Sequence, residues 1–417
     1  MSIKLRWPLH AALLGAGVYA LVAGPALADP APPFSELLRQ AQSAPTLAER
    51  RAEVDQAEGL AQQAAARPNP SVSVLVENFG GSRPYDQLGG QTTFQVDQPL
   101  ELGGKRAARI AAGRAGIDAA KARFTETVAT FGFDLASAYA EAEAADRRLV
   151  LAQETLGLAQ DDARVASALV KAGKEADLRA VQATTAVQAA RAGLEAARSA
   201  KEAAFGRLTV LAGAVTPITS IPVSLLAHAD RPEAPAVPDP MASPAYLAAE
   251  AARTAAARRV SVERTRAAPD VTVSFGVRRL AGEDATAVIG GVSVPFPIFD
   301  RNRGNISASR AELAGTEARL NRARLEAEAE SRSGVARAQA ALARIAAARE
   351  GETTAEEAYR LSRVGYEGGK LPLIEVLNAR RALAEARTQT LDARLERLGA
   401  EAALARLQGV APFGDQP

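Results

Sequence analysis

The chain has 417 residues, with 50 Lys and Arg against 48 Asp and Glu, only 4% aromatic residues and no cysteine. Missing thiols exclude a disulfide scaffold, a thiolate metal site, a Cys nucleophile and a lipid-bearing N-terminal cysteine. Evenly mixed charge excludes the broad basic footprint of a nucleic-acid binder, and so few rings among so much alanine favour close helix-on-helix packing over a bulky core.

Residues 1–28 read as an export signal. Lys4 and Arg6 precede an apolar stretch from His10 to Val22, and Ala26-Leu27-Ala28 gives the small-x-small cleavage pattern. The stretch is shorter than a bilayer span and broken by Gly15 and Gly17. Cleavage leaves 48 basic against 48 acidic residues, a neutral exported chain.

From Phe34 to about Ala66 the pattern is helical, and Pro68 and Pro70 stop it. Residues 71–79 then alternate, with Val72, Val74 and Val76 on one face. After the turn-rich stretch 78–90, Thr92, Phe94 and Val96 alternate with Thr93, Gln95 and Asp97. From Gly104 to about Val170 no proline interrupts a helical run of some 65 residues, roughly 100 Å long at 1.5 Å per residue. A turn at Ala172-Gly173-Lys174 sends a shorter helix back to Leu211.

The Pro-rich stretch 215–243 breaks all periodicity and reads as a connector packed around the hairpins. Beyond it the plan recurs. Pro70-Ser71-Val72 returns as Pro269-Asp270-Val271, Pro99 as Pro297, and Gly173-Lys174 as Gly369-Lys370. Val271, Val273, Phe275 and Val277 form one strand face. Val288, Val292 and Val294 form another, across a turn at 279–285. A second long helix runs from Arg303 to about Val364, with Ile306, Leu313 and Leu320 at coiled-coil spacing. The expected organisation is a first repeat over 29–214, the connector, a second repeat over 244–409 and a tail over 410–417.

Amphipathic strands of this kind suit an outer-membrane β-barrel, yet four cannot close one, because an open edge in lipid leaves backbone groups unpaired. Closure takes several copies: eight strands from two chains or twelve from three. The long helical columns favour three. The expected fold class is mainly α with a small β part: an internally duplicated α-helical barrel plus four strands per chain that complete a twelve-stranded trimeric barrel.

The segments VDQPLELGGKRAAR at 96–109, VPFPIFDRNRGNISA at 294–308 and RVGYEGGKLPLIEVLNARRAL at 363–383 resemble the signatures of the TolC family of outer-membrane efflux ducts, in particular its heavy-metal branch, the cobalt-zinc-cadmium resistance outer-membrane subunits. The resemblance implies a homotrimer in outer-membrane lipid with a large periplasmic portion. A periplasmic adaptor (membrane fusion) protein would join it to an inner-membrane resistance-nodulation-division (RND) pump. It implies a passive exit duct with no catalysis, cofactor or metal site. Ducts for organic toxicants or secreted proteins share these signatures, and a soluble exported coiled-coil scaffold is the reading from another class.

Several residues carry a functional expectation beside a structural one. Glu175, Asp177, Glu367 and Glu375 flank the hairpin turns, and in a three-fold assembly an inward-facing acid becomes a ring of three charges at the pore mouth. Their other role is that of solvated helix ends. Gly173, Lys174, Gly369 and Lys370 are candidates for adaptor contact as well as helix C-caps. Gly103-Gly104-Lys105-Arg106 reads as a strand-to-helix bend rather than a phosphate cradle, and Asp300 as an N-cap. His228, the one histidine after the signal segment, lacks neighbours for a transition-metal site and reads as a packing residue.

Overall fold

The computed structural model describes residues 29–78, 90–231 and 236–413. The export-signal reading over 1–28 and most of the turn at 78–90 lie outside the described residues. In chain order the elements are β1 (Asp29–Pro30), α1 (Phe34–Gln40), α2 (Pro45–Ala65), β2 (Ser71–Glu77), β3 (Gln91–Leu100), α3 (Lys105–Lys171) and α4 (Asp177–Ala212). Then come β4 (Ile218–Ser220), α5 (Pro244–Arg266), β5 (Val271–Leu280), β6 (Ala285–Ser293), α6 (Arg303–Glu367) and α7 (Leu373–Gln408).

Several expectations are corrected. The helical run from Phe34 is two helices, because Pro45 has no N–H to continue a helix and instead occupies the first turn of α2. Val294 falls outside β6, and the turn expected at 279–285 tightens to residues 281–284. Two short strands went unforeseen: β1 and β4 pair in parallel and tie the start of the described chain to the connector. Asp300 is not the N-cap of α6. Asn302 holds that position in the left-handed conformation (φ 57°), while the Asp300 carboxylate accepts from the Asn302 N–H at 2.8 Å.

The remaining four strands form one antiparallel sheet in the order β2-β3-β5-β6. Past the end of β3 the chain bends sharply into α3. Gly103 and Gly104 take φ of 68° and 76°, a conformation in which a side chain is strained. A Cβ on Gly103 would also lie 2.7 Å from that of Ala268. Lys105 forms an ion pair with Asp270 at 2.7 Å, so this glycine-lysine cluster is a bend that fastens one repeat to the other.

Helix α3 is the central beam. Along its first half it packs on α2 and α5, and along its second half on α4 and α7. Small residues permit close approach: a Cβ on Gly113 would sit 3.0 Å from the Ala61 Cα. The principal core is a belt midway along α3, where Phe131, Leu135 and Tyr139 meet Phe34 and Leu37 of α1, Phe205 and Leu208 of α4, and Leu225 and Leu226 of the connector. Among the described residues no helix is long and apolar enough to cross a membrane.

Candidate functional site: the strand sheet and the hairpin tips

Alternation gives the sheet two unlike faces. Val72, Val74 and Val76 of β2, Phe94 and Val96 of β3, Val273, Phe275 and Val277 of β5, and Val288 and Val292 of β6 are all exposed. Such a contiguous apolar face requires a nonaqueous neighbour. The opposite face is polar and internally bonded. Ser274 donates to Asp97 at 2.5 Å, Gln95 donates to the same carboxylate at 2.6 Å, and Arg278 donates to the buried Thr93 hydroxyl at 3.0 Å. Apolar outside and polar inside is the division a membrane barrel makes between lipid and lumen.

At the far end of the helices both hairpins turn the same way. Gly173 and Gly369 adopt φ of 72° and 70°. The Lys174 N–H reaches back to the Leu169 carbonyl at 2.9 Å, and the Lys370 N–H to that of Gly365 at 2.8 Å, which closes each helix end in a Schellman motif. Gly173, Lys174, Gly369 and Lys370 are exposed. Asp177 and Glu375 stand exposed in the first turns of α4 and α7, where an acid also complements the helix dipole. Glu175 is half-buried beside Arg179 at 3.7 Å, and Glu367 accepts from Arg363 at 3.1 Å. These two are already engaged within the chain.

Just inside the tips lies a cluster that sequence reading missed. Asp162 of α3, 3% exposed, accepts from Arg380 of α7 at 2.9 Å and from the Tyr359 hydroxyl of α6 at 3.4 Å. One carboxylate thus joins three of the four hairpin helices. Burial lifts the Asp162 carboxyl above its ordinary value against the opposing pull of Arg380, Tyr359 and Arg363. Burial and the Asp162 charge push Tyr359 up to about 12. The nearby Tyr366 hydroxyl is buried without a hydrogen-bond partner among the described residues, and burial raises it too. A second missed residue is Glu143 in the middle of α3. Its buried carboxylate accepts from the Leu225 and Leu226 N–H groups at 2.8 and 3.0 Å and from the Ser224 hydroxyl. It fastens the connector.

His228 packs edge-on against Phe413, with its Nε2 3.6 Å from a Glu401 carboxylate oxygen. Among the described residues no cluster of three or more potential metal ligands occurs.

The sequence profile of the family described as outer membrane efflux protein matches residues 37–214 and 242–410, the two repeats in turn. The chain belongs to the outer membrane efflux protein family. Its relatives there include the nickel-cobalt-cadmium resistance protein NccC of Alcaligenes xylosoxydans xylosoxydans, 43% identical over 413 residues that cover 98% of this chain and 93% of NccC. The cobalt-zinc-cadmium resistance protein CzcC of Cupriavidus metallidurans is 30% identical over 81% of this chain and 80% of its own. Among solved structures, the outer membrane protein VceC of Vibrio cholerae superposes with a TM-score of 0.73 at 20% identity, over 91% of this chain and 96% of VceC. CusC gives 0.71 at 18% identity, over 90% and 92%. An efflux family member belongs in the outer membrane with a large periplasmic part, and its fold is that of a channel. In that setting the apolar face of the sheet is the lipid-facing surface, and the helices, about 100 Å for α3, are the periplasmic portion.

Proposed function

We propose that three copies of this chain form the exit duct of a tripartite heavy-metal efflux system. The observation that carries the reading is the sheet: a lipid-suited face bounded by two strands, β2 and β6, that among the described residues each have a partner on one side only. Four strands from each of three copies make twelve, an even number within the range of membrane barrels, and closure removes every unpaired edge. The helices continue the tube, and cargo passes down its gradient without chemistry at this subunit.

Divalent cations such as nickel, cobalt and cadmium are the cargo, a reading supported by the names of NccC and CzcC. Energy comes from an inner-membrane RND pump, joined through a periplasmic adaptor that meets the exposed turns at Gly173-Lys174 and Gly369-Lys370. Asp177 and Glu375, exposed beside those turns, are the stronger members of the acidic ring; Glu175 and Glu367, held by arginines, are the weaker. Rings of three carboxylates draw cations to the mouth. The exporter needs no tight metal site here, since a duct that held its cargo would clog.

Deleting the gene and measuring growth across zinc, cobalt, cadmium, nickel, copper and organic toxicants tests the cargo. Sensitivity confined to divalent metals is expected. Unchanged tolerance to every metal, with new sensitivity to organic compounds, overturns it.

A further inference from the structure

Both hairpins of the sheet share one register. Ser73 pairs with Gln95 and Val74 with Phe94 in the first, and Thr272 pairs with Ser293 and Val273 with Val292 in the second. A shift of 199 residues on one strand (73 to 272) and 198 on the other (95 to 293) therefore carries the first hairpin onto the second. The same shift of 198 carries Gly104, the left-handed N-cap of α3, onto Asn302, the left-handed N-cap of α6.

The two hairpins differ in how far their second strand runs. β3 continues to Leu100, because β5 pairs with it as far as Leu100 opposite Val271, past the end of β2. β6 stops at Ser293. Its residues equivalent to 96–100 are Val294-Pro295-Phe296-Pro297-Ile298, which carry no sheet pairing and stand in solvent, with Phe296 83% and Ile298 70% exposed. The strand that would pair with them, by the rule that pairs β5 with β3, is a β2.

We propose that residues 294–298 are the unpaired end of β6 and become strand by pairing with β2 of a partner subunit in one register: Val294 opposite Val76, Phe296 opposite Val74 and Ile298 opposite Val72 of the partner subunit. This register is the β3–β5 ladder (Val96 opposite Phe275, Gln98 opposite Val273, Leu100 opposite Val271) moved by the two shifts. Side-chain direction supplies an independent check. Pairing by one residue more or less would set apolar against polar faces. Here every paired residue belongs to the set that alternation assigns to the lipid side, and Val292-Val294-Phe296-Ile298 becomes one continuous apolar row. The exposed valines of β2 and the exposed segment after β6 are the two halves of one seam. The inference rests on the trimer reading and specifies its contact.

The absence of native cysteine makes the seam directly measurable. Paired antiparallel residues bring Cα atoms to about 4.5–5.5 Å, within disulfide reach, whereas a four-residue slip separates them by roughly 13 Å. The full-length protein, extracted in detergent, would carry Val294→Cys with Val76→Cys, Ile298→Cys with Val72→Cys, or the slipped pair Val294→Cys with Val72→Cys. Val96→Cys with Phe275→Cys reports the seam within one chain. Oxidation is expected to link the first two pairs into covalent dimers and trimers on a non-reducing gel and to leave the slipped pair unlinked. Linkage of the slipped pair alone overturns the register. A particle of trimeric mass by light scattering that oxidises at 96/275 but links at neither predicted pair overturns the seam and leaves the trimer standing; monomeric mass overturns the trimer reading itself.

Hydrogen exchange on the unaltered protein guards against variants that fail to assemble. Amides of Val294, Phe296 and Ile298, like those of the equivalent β3 residues Val96, Gln98 and Leu100, are expected to exchange at least about 100-fold more slowly than unstructured ones. Exchange at the unstructured rate in trimeric protein overturns the proposal.

Discussion

The two repeats are built to one plan but live in different surroundings. Helix α3 is enclosed on both sides, and its buried residues include Phe131, Leu135, Tyr139, Glu143 and Asp162. Helix α6 occupies the equivalent place in the second repeat and leaves Leu325, Leu361 and Val364 exposed. The joint between repeats therefore exists once inside the chain, at β3/β5, α3/α5 and α3/α7, and its second instance awaits another copy. Even then the two joints differ. Near the tips the repeat shift is 196 residues, as in Asp177 to Leu373 at the starts of α4 and α7. It places Ala358 where α3 has Asp162, and Thr184 where α7 has Arg380. The in-chain seam holds a buried ion pair, and the equivalent positions of the proposed seam between copies carry no charge.

The largest expected effect comes from breaking that pair. Arg380→Ala leaves the Asp162 carboxylate buried without its cation, which costs about 3–5 kcal/mol, while Asp162→Leu with Arg380→Met replaces both charges by similar apolar volume and restores most of the loss. Denaturant titration of the helical circular dichroism checks both. Ala358→Gly, at the equivalent place in the other seam, should cost only about 1 kcal/mol, a helix-propensity loss without a charge effect.

The sheet offers the next comparison. Val96→Arg in the inner strand β3 and Val74→Arg in the edge strand β2 should each cost about 2–4 kcal/mol on the lipid face. Equal losses of the heat-resistant barrel species on gels mean that β2 is no edge once assembled. Tolerance of Arg at 74 alone means that the sheet stays open. Comparable in size is Glu143→Ala, which strands the Leu225 and Leu226 N–H groups at about 1–3 kcal/mol for each group left unsatisfied. The loss should appear as faster proteolysis within residues 215–231 of the connector, which Arg349 and Arg394 of the second repeat also hold through Asp230.

These contrasts also mark what could be read from the sequence. The duplication, the strand faces and the tip turns are local signals: Val-x-Val alternation, proline stops, and glycine where a helix must end left-handed. Pro45 was equally visible, and its break in the first helix follows from the missing N–H alone. The acids Asp162 and Glu143 were not legible, because each is one among many Asp and Glu residues in Ala-rich helices. What distinguishes them is burial against elements more than 80 residues away. Asp300 misled because an acid just before a helix is the usual cap, whereas here the left-handed Asn302 intervenes. The seam segment 294–298 was legible as a repeat of 96–100, but its solitude emerged only from strand pairing.

The smallest prediction concerns pH and the same ion pair. Burial raises the folded-state Asp162 carboxyl above the ordinary 3.8 despite Arg380, Tyr359 and Arg363 around it, so the folded chain binds this proton more readily than the unfolded one. The stabilising contribution linked to that proton is fully present below the ordinary value and is lost as pH rises through the folded value. Asp162→Asn cannot titrate. Melting temperatures of the two proteins should therefore diverge across that window, the unaltered protein losing ground relative to the variant as pH increases. Thr184 and Ala358 supply no titrating group to the other seam, so this residue's part of the pH dependence is a property of the in-chain joint. A difference that runs the other way, the unaltered protein gaining on the variant as pH rises through the ordinary value, would mean that Asp162 stays ionised in the folded chain, with Arg380 outweighing burial.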